Sequence, residues 1–149
     1  MKGGIDMYKA IDIARYILYR YTTMELPITN LKLQKILYFV QRESLKKKNV
    51  ALFVDNIEAW QFGPVVPEVY YRYAGYGGMK IDVYDDPKIN INEEDINLID
   101  NVIESYKHQS PWLMVDETHM KGFAWDRTCN NYQNAYHPVI SIEEIKNYG

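Results

Sequence analysis

The chain has 149 residues, a length that suits one domain with a core large enough for autonomous folding. Its longest unbroken apolar run, residues 36–40, is too short to span a bilayer. The net charge of −3 hides an asymmetry: residues 2–48 hold ten Lys or Arg against four acids, and residues 82–104 hold eight acids against one lysine. A general nucleic-acid binder would be basic overall. This distribution instead permits a partner that is itself charge-patterned, or head-to-tail self-association into a homo-oligomer.

A single cysteine, Cys129, cannot form an internal disulfide, so we expect a reducing, cytoplasmic compartment. The N-terminus lacks the apolar segment of a signal peptide. We therefore expect residues 1–6 to be a loose lead-in to one domain that occupies residues 1–149. The 14 tyrosines are many for this length, and they suit a surface that a partner covers.

Two helices are predicted in the first third of the chain. Apolar residues at three- and four-residue spacing predict an amphipathic helix over residues 6–22. Pro27 interrupts this pattern, and Thr29 or Asn30 then caps a second helix. The core side of the second helix is expected to consist of Leu33, Ile36, Leu37, Val40 and Ser44.

A strip of hydrogen-bonding side chains follows the edge of that second core stripe. Gln34, Tyr38 and Gln41 are spaced four and three residues apart, so they lie in a row along the helix. Two interpretations are open. The strip faces a partner, or it satisfies buried polar groups of the corner that follows Trp60.

The corner itself lies in residues 59–70. Gly63 can adopt backbone angles closed to other residues, and Pro64 fixes its own φ, so the chain must turn sharply there. Pro67 is suited to the first turn of a short helix that carries Tyr70. This corner either seats Trp60 in the core or presents it to a partner.

The rest of the chain is predicted to be mostly helical. Residues 51–54 and 57–60 are expected to pair as a two-stranded ribbon, and residues 81–84 alternate as a short strand would. Further helices are predicted from Asn92 to Tyr106, from Pro111 to about Met120, and from a capping box at Ser141 and Glu144, while residues 123–138 are interpreted as a loop. The predicted fold is mainly α, with five or six helices and a minor β-hairpin.

Catalytic motifs are absent from the sequence. The three histidines have neither helical metal-site spacing nor a zinc pattern, and no phosphate-binding loop is present. Asp116 and His119 could share a helical face, with Cys129 as a nucleophile, but no nucleophile motif surrounds that cysteine. We therefore predict that the protein is not an enzyme and that it holds no metal or cofactor.

Three stretches together resemble a known family. They are KLQKILYFVQ at residues 32–41, AWQFGPVVPEVY at residues 59–70, and Thr118-His119 followed by Trp125. In this order they are similar to the Panacea domain of SocA-like antitoxins, a family often labelled phage-associated. The resemblance extends over residues 11–148.

That resemblance implies a compact helical fold and a function in a bacterial or prophage toxin–antitoxin pair. The expected activity is neutralisation of a separately encoded, cognate protein toxin by direct binding. The candidate partner-binding residues are Gln34, Tyr38, Gln41, Trp60, His119 and Trp125. For His119 and Trp125, a purely structural role is the alternative. For the whole chain, the alternative is a small phage-associated regulator or adaptor that binds nucleic acid or host machinery through the basic N-terminal third.

Overall fold

The computed structural model describes residues 7–149, and the predicted lead-in at residues 1–6 lies outside that range. The described chain is mainly α-helical with a minor β element, which confirms the predicted class. Its helices are α1 (Ala10–Thr23), α2 (Asn30–Lys48), α3 (Pro67–Arg72), α4 (Glu93–Tyr106), α5 (Pro111–Thr118), α6 (Ala124–Asn131) and α7 (Ile142–Tyr148). Its strands are β1 (Ile57–Trp60), β2 (Gly63–Val65) and β3 (Val139–Ile140).

Helix α2 is the centre of the structure. It packs against α1, α4, α5, α7 and strand β2, so every residue from 32 to 41 is buried. The Thr29 hydroxyl accepts a hydrogen bond from the Lys32 N–H at its start, as the sequence predicted for Thr29 or Asn30. At its end, Asn49 adopts the left-handed conformation with φ 59°.

The sheet has the strand order β2-β1-β3, with both neighbours antiparallel to β1. The hairpin therefore turns at Gln61 and Phe62, and the predicted ribbon between residues 51–54 and 57–60 is wrong. Instead of pairing with β1, residues 52 and 53 donate their backbone N–H groups to Gln41 Oε1, and Phe53 forms an isolated parallel bridge with Tyr8.

The corner after the hairpin forms as predicted, with Pro67 in the first turn of α3. Gly63 has φ 108°, and a Cβ atom there would lie 2.7 Å from Thr118 Oγ1 and 2.8 Å from Lys35 Cε. Glycine is thus required both by conformation and by space. Helix α3 ends at Arg72, and a short 3₁₀ turn over residues 74–76 follows it.

The second half of the chain contains two corrections. Residues 81–84 are not a strand, since the Ile81 N–H donates only to the Ile28 carbonyl outside any sheet. The segment 123–138, predicted as a loop, contains helix α6, which makes seven α-helices in the described chain where five or six were expected. The predicted Ser141 cap of α7 is confirmed, because the Ser141 hydroxyl accepts from the Glu144 N–H, but the Glu144 carboxylate accepts from Arg127 and does not complete a capping box.

Candidate functional site

A cavity of about 470 Å³ opens between α2, the hairpin turn, α3 and the first turn of α5. Its size is within the range of small-molecule pockets. The outer part of its wall is aromatic and the inner part is polar. We call the aromatic part the rim, which consists of Trp60, Phe62, Tyr70, Trp112 and His137.

The rim is built from two groups of touching rings. The Trp60 indole stacks on the His137 imidazole, with ring centroids 4.2 Å apart, and meets the Tyr70 ring edge-on at 4.9 Å. Phe62 and Trp112 form an edge-to-face pair at 5.3 Å. In this second pair Phe62 is 45% exposed and Trp112 is 55% exposed, so both rings present apolar surface to solvent.

The inner wall holds a chain of amide hydrogen bonds. The Val66 N–H donates to Gln34 Oε1 over 2.9 Å, and Gln34 Nε2 donates to Asn30 Oδ1 over 2.9 Å. Asn30 Nδ2 in turn donates to the Tyr70 carbonyl over 3.0 Å. These bonds tie the first turns of α2 to the corner and to α3, which holds the rim in position.

Lys35 forms the most unusual part of the inner wall. Its side chain is 0% exposed, and its Nζ donates to the Pro64 carbonyl over 2.8 Å. No carboxylate of the described residues lies within ion-pair distance of this ammonium. Burial therefore lowers the pKa of Lys35 from 10.5 to about 7.

His119 and Trp125 stack behind the hairpin with ring centroids 3.8 Å apart. Trp125 Nε1 donates to the Trp60 carbonyl over 2.8 Å, so α6 holds the end of β1. Burial, and secondarily the charge of Lys35, lower the pKa of His119. Its imidazole is therefore neutral at pH 7, and its Nε2 is buried without a hydrogen-bond partner among residues 7–149.

Comparison with known families gives a match between residues 33–126 and the family described as "Antitoxin SocA-like, Panacea domain". The chain belongs to this family. One curated relative is antitoxin SocA of Caulobacter vibrioides (strain NA1000 / CB15N), which is 31% identical over 129 residues. The alignment covers 79% of this chain and 69% of SocA. No solved structure matches the chain.

The motifs that carry the resemblance to the Panacea family meet in space. Lys35 and Gln34 of the first motif bond to the backbone of the second at Pro64 and Val66. The third motif reaches the second through Trp125 and the Trp60 carbonyl. The motifs thus build one unit, which is the corner and the cavity beside it.

Three of the sequence-predicted site residues are interior. Gln34, Tyr38 and Gln41 are 1%, 3% and 0% exposed, so in this structure they cannot touch another protein. For Gln34 the contacts match the alternative interpretation, because it satisfies the Val66 N–H of the corner. Gln41 has the same kind of role elsewhere, since its Oε1 accepts from Leu52 and Phe53.

The other three candidates are half-buried and lie together. Trp60 is part of the rim, and Trp125 and His119 support it from behind. Sequence reasoning missed Phe62 and Trp112, because nothing in the spacing of these residues shows that a hairpin turn meets a helix start. Lys35 carried a weak signal, since Leu31, Tyr38 and Phe39 lie one turn away from it on α2, although Lys32 does too.

The catalytic alternative gains no support from the contacts of Asp116, His119 and Cys129. The Asp116 carboxylate is not hydrogen-bonded to the His119 imidazole, which stacks on Trp125 instead. Burial and the charge of Asp126 raise the pKa of the Cys129 thiol, which disfavours the reactive thiolate.

Within residues 7–149 no group of three His, Cys, Asp or Glu side chains is placed to hold a metal ion. None of the described helices is long and apolar enough to cross a membrane.

Proposed function

We propose that this protein is an antitoxin that neutralises a cognate protein toxin by direct binding, without catalysing a reaction. The rim is the proposed contact surface. The observation that carries this proposal is the solvent-exposed pair Phe62 and Trp112 at the mouth of a formed cavity, with Tyr71 beside Trp60 at 66% exposure. Exposed aromatic side chains around a pocket are the usual anchors of protein interfaces.

Family membership supports the same function. The relative SocA is named as an antitoxin, and its alignment with this chain includes most of both proteins. The family match begins in α2 and ends in α6, so it includes the corner and most of the cavity wall. The toxin-binding surface is therefore expected within the matched part of the chain.

The alternative of nucleic-acid binding through the basic N-terminal third is less well supported. Arg20 pairs with Asp100 at 3.2 Å, and Arg42 lies 3.4 Å from a Glu117 oxygen. Two other cations, Lys32 and Lys35, are buried, and Lys48 pairs with Glu94 and Asp95 of α4. Pairing and burial thus leave few of these described cations for phosphate groups.

Co-expression tests the proposal. The candidate toxin is the product of the neighbouring reading frame, induced alone and together with this protein, and growth is measured. We expect the wild type to restore growth and the double variant Phe62→Ala/Trp112→Ala to fail. The matched control is Tyr84→Ala, which removes a ring that is 79% exposed but lies outside the cavity.

The melting temperatures of the purified variants complete the test. Phe62 and Trp112 are half exposed, so their removal should change Tm little. Loss of rescue with unchanged Tm supports the rim as the contact surface. Rescue by the double variant, or equal loss in Tyr84→Ala, contradicts it, and turnover of a small molecule by the pure protein contradicts a binding-only role.

A further inference from the structure

The solvent-accessible wall of the cavity offers no charged partner to an occupant. Among the described residues that line it, Lys35 alone carries an ammonium, guanidinium or carboxylate group, and its side chain has no solvent-exposed surface. The Lys35 ammonium donates to the Pro64 carbonyl within the corner. A charged side chain that entered the cavity would therefore lose its water without gaining a salt bridge, which is unfavourable.

The amides of the inner wall are already hydrogen-bonded to the protein itself. Gln34 accepts from the Val66 N–H and donates to Asn30, and Asn30 donates to the Tyr70 carbonyl. Neither Asn30 nor Gln34 has a buried side-chain nitrogen or oxygen without a partner. An apolar occupant would therefore leave no polar atom of these two side chains newly unpaired.

The surface that remains accessible in the cavity is largely aromatic. Phe62 and Trp112 form an edge-to-face pair at the mouth and are 45% and 55% exposed. Trp60 and Tyr70 form a second edge-to-face pair in the same wall. These rings come from β1, the hairpin turn, α3 and α5, so they present both faces and edges to an entering group. Aromatic pairs in such orientations gain more than their buried area alone provides.

We propose that the cavity receives an aromatic side chain, Phe, Tyr or Trp, of the bound toxin, which packs among the rings of the rim. This inference rests on the proposed function and adds the chemistry of the inserted residue. An aromatic ring brings no charge that needs a partner, needs no hydrogen bond from the paired amides, and matches the aromatic lining. A cavity of about 470 Å³ is large enough for a whole small ligand, so one side chain and the peptide atoms beside it can enter.

The occupant is part of a polypeptide because the exposed aromatic surface extends past the cavity. Tyr71 is 66% exposed and its ring centroid lies 6.0 Å from that of Trp60, yet Tyr71 does not line the cavity. A small molecule inside the cavity would leave this ring uncovered. A protein that inserts one aromatic side chain would cover Tyr71 with its neighbouring residues.

Capped tripeptides of the form acetyl-Ala-X-Ala-amide provide the test, with Phe, cyclohexylalanine, Glu or Lys at the central position. Binding is followed in ¹H–¹⁵N spectra at the indole N–H groups of Trp60 and Trp112, which both line the cavity. We expect the Phe peptide to bind about tenfold more tightly than the Glu and Lys peptides. We also expect it to bind about threefold more tightly than the cyclohexylalanine peptide, which has a ring of similar size without π electrons.

Two variants locate the binding. Ala74→Trp adds a large side chain at an exposed position of the cavity wall, where it narrows the cavity without changing the core. Phe62→Ala/Trp112→Ala removes the exposed rings, and its binding is followed at Trp60. Each should weaken binding of the Phe peptide about tenfold. The control Tyr84→Ala, which changes an exposed ring outside the cavity, should keep the wild-type affinity.

Several results would overturn the proposal. They are undetectable binding of the Phe peptide to the wild type, equal binding of the Phe and charged peptides, equal binding of the Phe and cyclohexylalanine peptides, and unchanged affinity for the Phe peptide in both cavity variants. Benzyl alcohol is a further probe. If it binds as tightly as the Phe peptide, the cavity is a small-molecule site and the polypeptide occupant is wrong.

The growth assay separates this inference from the proposed function. If Ala74→Trp restores growth while Phe62→Ala/Trp112→Ala does not, the rim binds the toxin without a side chain in the cavity, and only this inference fails. If the double variant restores growth, the rim is not the contact surface and both proposals fail. Loss of rescue in both variants, with rescue retained in Tyr84→Ala, supports both proposals.

Discussion

Replacing Lys35 with methionine should change how the stability of the protein depends on pH. Burial lowers the pKa of Lys35 to about 7 in the folded state, whereas in the unfolded chain it is about 10.4. Between these values the unfolded chain holds more protons than the folded one. The free energy of unfolding of the wild type therefore contains a contribution that rises with pH through this window.

The size of that contribution follows from the two pKa values. At pH 7 about half of the folded molecules carry the charge, and at pH 9.5 almost none do, while the unfolded chain stays mostly protonated. Integrating the difference gives a gain of about 3 kcal/mol from pH 7 to pH 9.5. The Lys35→Met variant lacks this gain in the free energy of unfolding, whereas the other ionisable groups contribute equally in the variant and the wild type.

Urea unfolding of both proteins at pH 7 and pH 9.5 measures the effect. We expect the wild type to gain about 3 kcal/mol relative to Lys35→Met over this interval. The window ends below pH 10 because burial raises the pKa of Tyr16 and of Tyr38 to about 12, which would add an opposite trend at higher pH. Parallel pH profiles for the two proteins would refute the argument that Lys35 is desolvated and unpaired.

Three further substitutions test the residues that hold the site in place, and denaturant unfolding measures the change in the free energy of unfolding for each. Gly63→Ala should cost about 2 kcal/mol or more, because φ is 108° and Cβ has no room, and a neutral result would contradict the close packing. Gln41→Met should cost about 3 kcal/mol by leaving two buried N–H groups of residues 52–53 unpaired, and a cost near zero would mean water replaces it. Trp125→Phe should cost about 1 kcal/mol through the lost bond to the Trp60 carbonyl; an unchanged midpoint would show that the stack with His119 alone holds the ring.

The helices that can be predicted from the sequence are those with strong local signals. The apolar period of α1, the cap at Thr29, the proline that starts α3 and the Ser141 cap of α7 each depend on nearby residues, and each is present in the structure. Helix α6 is short and has no side-chain cap, so its stability comes from contacts distant in sequence. One of these is the Arg127 to Glu144 ion pair at 2.8 Å.

The strand pairing of the hairpin and the position of the cavity could not be predicted from the sequence either, because both depend on contacts between residues distant in the chain. By composition, either residues 51–54 or residues 63–65 could pair with β1. In the structure the N–H groups of residues 52 and 53 donate to the Gln41 side chain, and β1 pairs with residues 63–65. The family resemblance located the motifs in the chain but did not state which side chains face inward. Burial of Gln34 and exposure of Phe62 follow from how α2 meets the hairpin turn, a contact that no local pattern encodes.

The way in which the three motifs join determines which residues can report on binding. Gln34, Lys35 and Trp125 bond to the backbone of the corner, so changing any of them alters the shape of the rim as well as its chemistry. Failure of such a variant to neutralise a toxin would not by itself identify a contact. Phe62 and Trp112 are different, because their side chains form no hydrogen bond to the scaffold and are half exposed. A contact surface is therefore best identified through these two rings, and not through residues that hold the corner from inside.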